Sequence, residues 1–172
     1  LDLAASKGAV GIKQMQAYSR TIEYLPVEDG AVTWSGTLNK QQVRLFEDWV
    51  VHECCRQAHE RGWAHQIHTG THNLAQSSPM PLAALAARYG KQKIVLLHCW
   101  PYTREAGWLA KHHTNVYIDT CWMPILNPIF FRNALESWIN YVPSNKIMLG
   151  HDGTSVEMAV GSSLFTREIL AG

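Results

Sequence analysis

Five short apolar runs in this sequence end on a side chain that can bind a cation or move a proton. They are GAVGIK with Lys13, GWAHQIH with His68, KIVLLH with His98, NVYID with Asp119 and KIMLGHD with Asp152. Imidazole and carboxylate suit a borderline divalent ion such as zinc, and a catalytic centre of that kind keeps one position open for water. A bound ion would lower the pKa of that water toward neutrality, and a nearby histidine or aspartate would handle the proton. Each residue also has a plain structural reading. A histidine at a strand end is often a hydrogen-bonded edge residue, Asp152 before Gly153 suits a turn, and Lys13 suits a surface lysine. What favours chemistry is the repetition of His, His and Asp at the same position of successive units.

Something must bring those positions together. The runs are short and several are rich in Val and Ile, as buried parallel strands are. Between them lie segments with helix punctuation. Val43, Phe46, Trp49, Val50 and Cys54 form one stripe at helical spacing over residues 40–61. Ser78-Pro79 and Asn127-Pro128 each have the form of an N-cap followed by proline, and Thr154 with Glu157 has capping-box spacing. Gly90 fits a helix stop. Strands alternating with helices predict an α/β fold with a parallel sheet, either open and doubly wound or part of a (β/α) barrel. In both, ligands bind at the C-terminal edge of the strands, where the loops converge. Residues 19–39 predict a long loop after the first strand, with room for a short helix, of the kind that covers sites.

Bulk properties bound the function. The chain has 172 residues and a formal net charge of +1, which gives no reason to expect a nucleic-acid or anionic-membrane partner. No run approaches the roughly 18 apolar residues of a membrane span. The four cysteines, Cys54, Cys55, Cys99 and Cys121, have no CxxC spacing, so we expect reduced thiols and a cytoplasmic protein. The start of the chain lacks the features of a signal peptide and reads as the interior of a domain. There is no GxSxG, Walker or GxGxxG motif. HECC at 52–55 lies mid-helix, His112-His113 suits a helix end, and Trp100 and Trp122 lie just past strand ends, where they could line a pocket.

QIHTG, LLHCWPYTREAGWLA, NVYIDTCW and NKIMLGHDG, in this order, resemble the metal-dependent amidohydrolase superfamily. The likeness is strongest to the branch called amidohydrolase family 2, which includes domains attached to glutamine-synthetase-like proteins. GAVGIKQMQAYSR is similar to that branch's fourth-strand segment, and the resemblance runs from about residue 8 to 170. It implies a (β/α)₈ TIM barrel, of which residues 1–172 would be a single domain covering about strands four to eight with their helices. By motif, His68 matches the metal-associated histidine of strand five and His98 the histidine of strand six, which binds metal or contacts substrate. Asp152 matches the strand-eight aspartate, a metal ligand or general base. Lys13 falls at strand four, where some members carry a carboxylated lysine and others bind substrate. We expect Lys13, His72 at the rim and Trp100 to contact substrate.

The resemblance thus implies a divalent metal, zinc before others. It also implies a small-molecule substrate whose amide, ester or lactone-type bond is attacked by metal-activated water. Decarboxylation, which some members of the branch perform, and a non-catalytic binding or structural barrel domain are the alternatives. A flavodoxin-like open sheet with no shared site is a further one. Family members carry an HxH pair on strand one, and this sequence has no HxH and no counterpart of strands one to three. The chain is therefore expected to be an incomplete and inactive piece of a barrel, with open edges that lead it to form homo-oligomers.

Overall fold

The computed structural model describes residues 1–171. A short helix α1 (Asp2–Ser6) precedes strand β1 (Gly11–Gln14). The chain then makes two single-turn 3₁₀ segments before the long helix α2 (Lys40–Glu60) and strand β2 (Ala64–His68). Helix α3 (Leu82–Arg88), β3 (Ile94–Leu97), α4 (Thr103–His112) and β4 (Val116–Asp119) follow. The chain closes with α5 (Met123–Leu126), α6 (Pro128–Ile139), β5 (Ile147–Met148) and α7 (Val156–Ala171).

All five strands are parallel and lie in the order in which they occur, β1-β2-β3-β4-β5. A doubly wound sheet reverses its strand order at a switch point. This sheet does not, which removes the flavodoxin-like alternative and gives the strand arrangement of part of a TIM barrel. The helices pack against one face. Val51 and Cys55 of α2, Leu82 and Leu85 of α3, Leu109 of α4 and Phe131 and Trp138 of α6 form a continuous core with Ile67, Ile94, Leu96, Val116 and Ile118. The opposite face carries only a small apolar cluster, Val95, Leu97 and Cys121 with Ala64 and Tyr117 beside it.

Local signals explain most boundaries. Asn39 caps α2 reciprocally: the Gln42 amide donates to Asn39 Oδ1 at 2.9 Å and the Asn39 amide to Gln42 Oε1 at 2.9 Å. Asn127 caps α6 by accepting from the Phe130 amide at 3.0 Å. Lys146 closes α4 by donating to the carbonyls of Ala110 and His113. Two expected caps are displaced. α3 begins at Leu82, not after Ser78-Pro79, because Pro79 instead opens a turn whose carbonyl accepts from the Leu82 amide at 2.9 Å. At α7 the cap is Ser155, whose hydroxyl accepts from the Met158 amide at 3.3 Å, while Thr154 turns its hydroxyl to the Met158 sulfur. Among the described residues, no helix is long and apolar enough to cross a membrane.

Candidate metal centre

Each strand ends in a loop that leaves the sheet on the same side. Thr71, Asn73, His98, Cys99, Trp122 and Asp152 all adopt positive φ there, and none is glycine. Such backbone costs of order 1–3 kcal/mol per residue and persists only where the surroundings over-determine it. Here the loops hold one another. The Thr69 hydroxyl donates to the Leu97 carbonyl at 2.8 Å, and the Thr71 amide donates to the Trp100 carbonyl at 2.8 Å. Gly70 has φ +63, and a Cβ on it would lie 2.0 Å from that same carbonyl oxygen, so only glycine fits between these two loops. The Trp122 amide donates to the His151 carbonyl at 3.3 Å, and its indole donates to Asp152 Oδ2 at 2.8 Å.

These loops surround a cavity of about 410 Å³. Lys13, His68, His72, His98, Trp100 and Asp152, the residues singled out from sequence, all line it. His68 and His98 are almost fully buried, at 2 % exposure each, and their rings stand 4.3 Å apart between centroids. Lys13, His72 and Asp152 are exposed at the rim. Asp152 lies well past β5, which pairs with β4 only over Ile147–Met148. Asp119 is buried beneath the mouth and does not line this cavity. It accepts the Cys121 amide at 2.7 Å and lies against Gly150.

Burial pushes the His68 pKa down to about 4, helped by the neighbouring His98, so its ring is neutral at neutral pH. His98 is likewise lowered by burial, partly offset by its contact with the Cys121 carbonyl, 3.3 Å from Nδ1. A metal needs neutral imidazole, and a ring N–H held by a backbone carbonyl leaves the other nitrogen free to ligate. The donor atoms of His98, Cys121 and Asp152 already lie within 4.8 Å of one another. Two imidazoles, a carboxylate and a thiol at one mouth fit a borderline divalent ion such as zinc.

Two neighbours of these residues were not singled out from sequence: Tyr18, which lines the cavity, and Cys121, which lines an adjoining recess with Asp119 and Asp152. Cys121, 4 % exposed, places Sγ 3.0 Å from His98 Nδ1, and it belongs to the compact donor group that His68 stands beside. Burial, then the Asp119 charge, pushes its thiol pKa up. Tyr18 lays its ring 4.6 Å from His68 and 4.9 Å from His72. Its loop is fixed by Arg20, two residues on, which pairs with Glu47 at 2.7 Å and with the buried Asp48 of α2.

A family model described as Amidohydrolase matches residues 6–154 of the chain. Protein fluG of Emericella nidulans is 29% identical over 178 residues, an alignment that covers 88% of this chain and 20% of that protein. Among solved structures, a protein of Lactobacillus casei assigned as a metal-dependent hydrolase superposes with a TM-score of 0.83 at 24% identity, covering 97% of this chain and 48% of that one. The uronate isomerase of Thermotoga maritima superposes with a TM-score of 0.69 at 13% identity, covering 97% and 43%. At these identities the two structures share the fold. The chain spans about a fifth of the curated relative and about half of each solved structure.

Proposed function

We propose, from the premise that this chain belongs to the amidohydrolase family, that it carries the active-site half of a metal-dependent hydrolase acting on an amide, ester or lactone-type bond. The observation that supports this reading is the convergence of His68 and His98, at the ends of β2 and β3, and Asp152, in the loop after β5, on one aromatic-walled cavity. In this reading residues 1–172 form a single domain equivalent to about strands four to eight of a barrel.

His68, His98 and Asp152 would hold a divalent ion, zinc by preference. When bound, such an ion acts as a Lewis acid toward a carbonyl oxygen and makes water acidic. The rest falls to the protein's own groups. His98 has Nδ1 against the Cys121 carbonyl, which leaves Nε2 for the ion or a substrate oxygen. Asp152 has Oδ2 held by the Trp122 indole, so Oδ1 takes the proton from the attacking water and later delivers it to the leaving group. Lys13 supplies a positive charge at the opposite wall for an anionic or carbonyl group of the substrate. His72 and Trp100 orient the substrate at the rim, and Tyr18 excludes water from the His68 side.

β1 and β5 are open edges of the sheet, and Val10 beside β1 is 80% exposed. These features support self-association through the barrel edges. Four free thiols support a reducing, cytoplasmic setting.

The test is turnover of a panel of aryl esters, lactones and amides in oxygen-18 water, with and without zinc. Zinc-dependent label incorporation, lost in Asp152→Asn, is the expected result. Carbon dioxide released without label would replace hydrolysis by decarboxylation. Zinc binding with no turnover of any class would leave a binding domain.

A further inference from the structure

We propose that the Cys121 thiol is itself a metal donor beside His98 and Asp152, which makes the centre a mixed nitrogen, oxygen and sulfur site. Such a site selects a thiophilic ion, zinc or cobalt, over magnesium and manganese, because thiolate favours the former and carboxylate-rich sets the latter. The inference rests on the metal reading above and narrows it.

Three observations carry it. The first is distance. Donors sharing one ion through bonds of about 2.0–2.3 Å stand within roughly 4.5 Å of each other. The His98, Cys121 and Asp152 donor atoms lie within 4.8 Å, so small side-chain rotations close them on an ion.

The second is placement. Residues 117, 119 and 121 alternate onto one face of the sheet, so Tyr117, Asp119 and Cys121 share the face away from the helices. Cys121 lies at its upper end, with its amide fixed by Asp119 Oδ1. The following residue, Trp122, is held at φ 66 and donates its indole N–H to Asp152. One turn therefore presents the thiol and orients the carboxylate.

The third is contrast with the other cysteines. Cys99 turns its thiol back to the Leu96 carbonyl at 3.3 Å, within the helix-side core. Cys55 faces His65 between α2 and β2, and Cys54 lies on α2 away from the mouth. Cys121 instead lines a recess that adjoins the cavity and shares Lys13 and Asp152 with it, and none of the other three cysteines lines either space. His68 stands next to the trio with Nε2 bonded to the Thr71 hydroxyl at 3.0 Å, and it joins as a further donor once that bond is released. On binding, the Sγ–H bond breaks, an Sγ–metal bond forms and the proton passes to solvent. No group changes oxidation state.

The experiment is cobalt(II) titration of the chain followed by absorption spectroscopy, repeated on Cys121→Ser and on Cys54→Ser. Wild type and Cys54→Ser should show an intense near-ultraviolet sulfur-to-cobalt band together with the weaker visible bands. Cys121→Ser should lose the near-ultraviolet band and bind cobalt at least about tenfold more weakly, the lower end of what even an outer-shell partner contributes. Its manganese affinity should change much less. Visible cobalt bands without the sulfur band in wild type would overturn the thiol assignment and leave the metal reading standing. A sulfur band that survives in Cys121→Ser would also overturn the assignment. No cobalt uptake by wild type would overturn both. The wild-type spectrum decides even if the serine variant does not fold.

Discussion

On the helix-covered face of the sheet, Ile67, Ile94, Leu96, Val116 and Ile118 are at most 1 % exposed and belong to one core with residues of α2 to α6. On the other face the apolar neighbours of Val95 and Leu97 among the described residues are Cys121, Ala64 and Tyr117, and the strands rise into a mouth of histidine, aspartate and left-handed backbone. The same strands build both. Alternation of side chains gives one face to packing and the other to chemistry. The difference teaches where each property resides. Cohesion of the helix side holds six non-glycine residues in a conformation they would not adopt alone.

Neighbouring leucines of β3 offer the most direct way to break this comparison. Leu96 is 0 % exposed on the helix side and Leu97 is 6 % exposed on the other. Leu96→Ala should cost roughly 2–5 kcal/mol, since a cavity opens inside a close-packed core. Leu97→Ala should cost at least about 1 kcal/mol less, because its thinly covered surroundings collapse more readily. Urea denaturation of the two variants measures the difference, and equal losses would show the faces to be equally packed.

The next test lies at the mouth. Gly70→Ala combines positive φ with a Cβ placed 2.0 Å from the Trp100 carbonyl oxygen, an atom of the main chain that cannot swing away. A loss on the order of 3 kcal/mol is expected, from the overlap and the strain together. Gly36→Ala, also at positive φ but with open space around its Cβ, isolates the strain alone and should cost about 1–2 kcal/mol. Thermal unfolding compares them. If both lose the same, the two loops are not locked together as the hydrogen bonds between them indicate.

The helix-side half of this picture was legible in the sequence. The apolar runs became strands and Asn127 caps α6 as its Asn-Pro signature predicts, but the stripe from Val43 to Cys54, though it lies on α2, is not the buried face, which is carried by Val51, Cys55 and Ala58. The mouth was legible only where a residue closes a run, as His68 and His98 do. Cys121 comes two residues after Asp119 on the same side of the strand path, so alternation carried past the strand end would have found it. Tyr18 has no such signal. It reaches His68 because Arg20 ties its loop to Glu47 and Asp48, 27 and 28 residues along the chain, and nothing local encodes that pairing. The cap at α7 falls one residue later than the Thr154–Glu157 spacing predicts because Thr154 and Ser155 are both good capping residues, and only the path out of β5 chooses between them.

A pH titration sharpens the comparison on a single strand, because β2 carries one histidine to each face. His65 lies between β2 and α2 at 1 % exposure, beside the Cys55 thiol and with no partner for Nε2. Burial alone pushes its pKa down from 6.5 to about 4. The unfolded chain therefore takes up a proton near pH 6.5 that the folded chain accepts only near pH 4. The stability due to neutral His65 is complete above pH 6.5, falls as the pH drops toward 4, and levels off below that. The loss attributable to this one residue should be on the order of 3 kcal/mol. His65→Leu should remove that part of the slope in urea denaturation series between pH 7 and 4. The part due to His68 at the mouth, whose pKa is also depressed, should remain. Should the leucine variant keep the full wild-type slope, water reaches His65 in the folded protein, and the helix-covered face is not the dry core that distinguishes it from the mouth.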